Sequence, residues 1–152
     1  MTLKKLLLKL LRYFFGNKPL VEEVTIVGSI SNGRLHEILA NACPMAEIYL
    51  SDNVYQTITK RDLERKLALS EVNEHEFYDE VMDCDDFAYA LHGELSVPPW
   101  SGVPFGIIWT NVHAFNLFVD DTDTVWYVEP QSDEMAPQIA AWQGSEVQLI
   151  VM

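Results

Sequence analysis

Hydrophobic positions recur along this chain with two periods, one near 3.6 and one near 2, and their alternation outlines the elements. At the start, Leu3, Leu6, Leu7, Leu10, Phe14 and Phe15 fall on one helical face, and Lys4, Lys5, Lys9 and Arg12 fall largely elsewhere. This predicts a basic amphipathic helix over 1–18, with Gly16-Asn17-Lys18-Pro19 as the hinge to the body. "EEVTIVGSI" reads as a strand. "GRLHEILANAC" carries Leu35, Ile38, Leu39 and Ala42 at helical spacing, and Pro44 follows its end. "AEIYLSD" reads as a short strand. Thr59 has the position of an N-cap, with Asp62 three residues on and Leu63 and Leu67 on the buried side. Cys84, Phe87, Ala88 and Leu91 then define the apolar face of another helix, followed by a proline- and glycine-marked loop. "FGIIWTNVHAFNLFV" reads as two strands broken near Thr110-Asn111, "DDTDT" as a turn and "VWYVEP" as the returning strand. "MAPQIAAWQG" has the pattern of a short helix and "EVQLIVM" that of a closing strand. The expected class is α+β, helices first and an antiparallel sheet after.

Length and composition add one domain, 19–152, to this outline. The chain has 152 residues, 49% hydrophobic, enough for a core. Its net charge of -13 is unevenly placed: residues 1–18 hold five of the ten basic residues and none of the 23 acidic ones. So acidic a body repels phosphate backbones, which argues against nucleic acid as a partner, and attracts cations. Two cysteines, Cys43 and Cys84, are expected as free thiols in a reducing compartment. The N-terminal apolar run is interrupted by Lys9 and Arg12, has no cleavage site after it and is too short to span a bilayer. A cytoplasmic protein is expected. Its N-terminal helix packs on its own domain or a second copy, or rests on an anionic membrane or a partner.

Candidate chemistry gathers at three places. In "YDEVMDCDDFAYAL", Asp83, Asp85 and Asp86 occupy the N-cap region and first turn of the helix that Cys84 begins, where carboxylates favour the helix dipole. A helix N-terminus favours a thiolate, and the carboxylates oppose one. His113 shares a strand face with Phe115, Leu117 and Val119. A hairpin turn of three (120–122) or five (120–124) residues puts Glu129 on that same face, opposite His113 or one pair away. An acid so placed orients the imidazole.

The order Cys, His, acid, together with "DCDDFAYAL" and "HAFNLFVDDTDTVWYVEPQ", resembles the papain-like and transglutaminase-like cysteine peptidase superfamily. More narrowly, "DCDDFA" with "HAFN…VEPQ" is similar to the C-terminal protease domain of the Marasmius oreades agglutinin and its relatives. The resemblance implies a papain-like fold with the nucleophile helix packed on an antiparallel sheet. It implies a peptidase acting on peptide or protein substrates, with Cys84 as nucleophile, His113 as general base and acid, and Glu129 as orienter. It also implies activation by calcium or manganese, with Asp85, Asp86, Glu129 and Gln131 as ligands, a set whose oxygens suit hard cations. Transglutaminase-type transfer and amide hydrolysis use the same triad. Where such enzymes place an oxyanion-hole glutamine, six residues before the nucleophile, this chain has Tyr78; Gln56 is a distant candidate, and the Cys84 N–H is the first donor. The departure, with the acidic setting of Cys84, motivates a second expectation: a catalytically inactive binding module on the same fold, tethered to a membrane or partner by its N-terminal helix. Asp120, Asp121 and Asp123 read as a solvated turn, His36, His75 and His92 as surface residues and Cys43 as core.

Overall fold

The computed structural model describes residues 24–152; the helix expected over 1–18 lies outside them. In chain order come β1 (Gly28–Ser31), α1 (Asn32–Ala42), β2 (Glu47–Tyr49), β3 (Val54–Thr57), α2 (Lys60–Leu67), a 3₁₀ turn (Val72–Glu74), α3 (Cys84–Leu95), β4 (Phe105–Thr110), β5 (Ala114–Val119), β6 (Val125–Glu129), β7 (Glu134–Ala136), a second 3₁₀ turn (Ala141–Gln143) and β8 (Val147–Val151). Local signals start the helices where the sequence places them. Ser31 Oγ accepts the Arg34 N–H at the head of α1, and Thr59 Oγ1 accepts the Asp62 N–H at the head of α2.

Six strands form one sheet in the order β2-β8-β4-β5-β6-β7, and β1 pairs β3 separately. The expected all-antiparallel sheet is corrected here: β2 runs parallel to β8, so the sheet is mixed. Strand periodicity buries its two faces against different elements. Phe115, Leu117, Val119 and Tyr127 join Leu35, Ile38 and Leu39 of α1 in one core cluster, to which Cys43 also belongs. Phe105, Phe118 and Val128 face the other way, joining Leu63 and Leu67 of α2 and Phe87, Leu91 and Leu95 of α3 in a second. The sheet is thus sandwiched, with α1 on one side and α2 and α3 on the other.

Three further differences have plain causes. The "MAPQIAAWQG" stretch gives β7 and a 3₁₀ turn instead of a helix, because Glu134–Ala136 pairs with the edge of β6. Lys60, Arg61, Arg65 and Lys66, which the sequence pattern puts on a solvated face of α2, are not all solvated: Lys66 is buried and paired with Glu94 at 3.1 Å, and Lys60 Nζ sits 4.3 Å from the Trp126 ring centroid. Asp120 is buried rather than solvated. Its carboxylate accepts from the Thr122 N–H and hydroxyl, the Thr124 N–H and Trp126 Nε1. Among the described residues no helix is long and apolar enough to cross a membrane.

Candidate functional site

The β5–β6 hairpin builds the site. Its register pairs Asn116 with Val128 and Val119 with Val125, which leaves the five-residue turn 120–124. That parity sets His113, just before β5, and Glu129, the last residue of β6, on one face. His113 Nε2 donates to Glu129 Oε2 at 2.8 Å, as an ionised carboxylate, acceptor only, requires. Gln143 Nε2 donates to the same oxygen at 2.9 Å, and the Gln131 N–H reaches Oε1 at 3.3 Å. Glu129 is 5% exposed and Gln143 6%. A carboxylate so buried is costly without donors, and here three surround it.

The His113 ring stacks on Phe115 with centroids 5.3 Å apart, and Trp142 tilts against it at 5.1 Å. Trp142 is itself 62% exposed, so its indole meets both the imidazole and solvent. His113 Nδ1 has no hydrogen-bond partner among the described residues, which leaves that edge of the ring for a ligand. The backbone is fixed from below: Thr110 Oγ1 accepts the Val112 and His113 N–H groups and donates to the Gln143 carbonyl at 2.6 Å. Gln143 escapes a reading of the sequence, since a glutamine in a loop carries no motif and its partner lies on a distant strand.

Cys84 lies on a different element from the hairpin. It opens α3, which packs on the opposite face of the sheet from Phe115 and Tyr127. Its sulfur is half-buried, and among the described residues it is hydrogen-bonded to neither His113 nor Glu129. Asp83 N–H donates to Asp86 Oδ2 at 3.2 Å, so Asp86 serves as a helix cap. The ligand-type atoms that converge are those of Asp83, Cys84 and Asp85, all within 4.8 Å of one another, and likewise Asp79, Glu80 and Asp83. Of the expected ligands, Asp85 is in one of these clusters, Asp86 caps the helix, and Glu129 accepts from His113, Gln143 and the Gln131 N–H. The converging carboxylates still fit a divalent cation. Asp83 Oδ1 is buried with no hydrogen-bond partner, and Asp85 is held above the usual carboxylate range, first by its hydrogen bond with Asp83, then by burial and the Asp83 charge. Oxygen donors such as these suit a hard ion.

No family model and no curated protein matches the chain. Solved structures do. One, titled as a PSL1a–E64 complex, is 24% identical with a TM-score of 0.68, covering 82% of this chain and 50% of the other. A second, Polyporus squamosus lectin bound to the human-type influenza-binding epitope Neu5Acα2-6Galβ1-4GlcNAc, is 23% identical with a TM-score of 0.64, covering 82% of this chain and 49% of the other. At these identities the likeness is one of fold, and the chain spans about half the length of each. These findings overturn the expected membership of the papain-like cysteine peptidases, since the structures that share the fold bear the names of a lectin and its complexes. The expected cysteine-peptidase activity falls with it. What this chain shares with that lectin is a fold.

Proposed function

We propose that the chain is a ligand-binding module rather than an enzyme, with its site at His113, Glu129 and Trp142. The observation that carries this reading is the buried His113–Glu129–Gln143 network beneath a largely exposed indole. Pre-formed polar groups beside an aromatic surface are the usual make-up of a small-ligand site. The matched lectin supports binding, as it is described bound to a trisaccharide. Asp83 and Asp85 hold a divalent cation in this reading; bound there, the ion offsets the negative charge at the head of α3. Cys84 is a neighbour of that ion and not a nucleophile. Residues 1–18, basic and apolar by turns, tether the module to a membrane or partner. Flotation with anionic liposomes that is unchanged on deleting 1–18 sinks a membrane tether.

Calorimetric titration of the full chain with the trisaccharide and, separately, with E64 tests the binding reading, each with Ca²⁺ or Mn²⁺ and with chelator. Saturable binding of one probe is expected, weakened about tenfold or more, roughly 1.4 kcal/mol, by His113→Ala and by Trp142→Ala. Binding of neither probe, a covalent E64 adduct on Cys84, or casein cleavage that Cys84→Ala abolishes, overturns it.

A further inference from the structure

The 3₁₀ turn Ala141–Gln143 carries two side chains that point to different duties. Gln143 is buried and donates to Glu129 Oε2, while its neighbour Trp142 is exposed and lies against His113. Two hydrogen bonds and one close backbone approach hold the turn in this pose. Thr110 Oγ1 donates to the Gln143 carbonyl at 2.6 Å, and the Ala140 N–H donates to Gln143 Oε1 at 3.0 Å. Gly144 follows with φ 111°, and a Cβ there would lie 2.6 Å from Thr110 Oγ1, so the close approach needs glycine.

We infer that Gln143 is a positioning residue of the site, a latch that sets the Glu129 carboxylate and the Trp142 wall together. Because one residue touches both, the carboxylate and the indole are not independent. Gln143 Nε2 fixes which oxygen faces His113, and its backbone fixes where the indole of the preceding residue, Trp142, stands. The ligand then meets a wall of fixed geometry, the indole on one side and the free Nδ1 edge of His113 beside it. The fixed wall suits a group with a flat apolar face and polar edges. That choice of ligand rests on the binding reading above, but the latch itself does not.

Nuclear magnetic resonance of the full chain without any ligand separates the two. The indole ring current displaces the His113 imidazole proton lines in the wild type, and Trp142→Ala removes that displacement. Gln143→Met keeps the volume and removes the hydrogen bonds; it should move the His113 lines most of the way to their positions in Trp142→Ala, although Trp142 is still present. Thr110→Val, which breaks the latch from the other side, should do the same if Gln143→Met does not fold. His113 lines that stay at wild-type positions in the folded variant overturn the inference, whatever the probes do. A probe that binds the wild type and is weakened tenfold by Gln143→Met extends the latch to the ligand. Equal binding to both proteins overturns that extension and leaves the binding reading standing.

Discussion

Glu129 is the residue that the site depends on. Truncating it strands the His113 Nε2–H and the Gln143 amide in a buried place, each at about 1–3 kcal/mol. Glu129→Ala should therefore cost roughly 3 kcal/mol, which lowers the melting temperature by about 6–12 °C for a domain of this size. A change under about 2 °C in thermal unfolding would contradict the burial account. Asp120 gives a pH-dependent counterpart. Burial alone would raise its pKa, but hydrogen bonds from Thr122, Trp126 and Thr124 outweigh burial and hold it below the usual range. A carboxylate depressed in the folded state adds stability above its unfolded pKa of about 4 and loses it as pH falls through the folded value. Urea midpoints should then separate Asp120→Asn from wild type at pH 7 and draw together below about pH 4; a gap that is constant with pH refutes the ionised cap. Both residues show what single positions reveal. The His113–Glu129 contact was legible because strand parity is arithmetic. Burial of Asp120 was not, since an acid in a turn looks the same whether Trp126 covers it or water does.

At the scale of elements, local chemistry was readable wherever it is local. Thr59 caps α2 and also donates its hydroxyl to Asp62 Oδ2 at 2.8 Å, while Leu63 and Leu67 are buried, as the spacing predicts. Thr59→Ala should cost about 0.5–2 kcal/mol in chemical denaturation, and Thr59→Ser should recover most of it; an alanine variant as stable as wild type removes the cap from the account. Elements that depend on distant partners were not readable. β3 (Val54–Thr57) exists as a strand because β1 lies beside it, and β7 because β6 offers a free edge. The parallel β2–β8 pair joins two short strands from opposite ends of the described chain, and no turn signal announces such a pairing. Lys66 was expected on a polar face and is instead buried against Glu94, a partner that belongs to α3.

For the whole molecule, the sandwich of helices about one sheet carries the candidate residues on different elements. Cys84 opens α3, and the His113–Glu129 pair belongs to the β5–β6 hairpin. Chain order carries no information about which face of the sheet a helix covers, and the two core clusters are seen only in three dimensions. The acidic cluster at Asp79–Asp85 therefore has its own test. A divalent cation at millimolar concentration should raise the melting temperature, by RT ln(1 + [L]/Kd) for a native-state ligand, and Asp83→Asn with Asp85→Asn should abolish the increase. An increase that survives both substitutions places the ion elsewhere. The central claim, that the His113–Glu129–Trp142 region is where a ligand sits, is met most directly by chemical-shift mapping. Isotope-labelled full chain would be titrated with E64 and with Neu5Acα2-6Galβ1-4GlcNAc. The account predicts saturable amide shifts gathered at 110–116, 127–131 and 140–144 for the probe that binds. Shifts gathered elsewhere, or none with either probe, would contradict it.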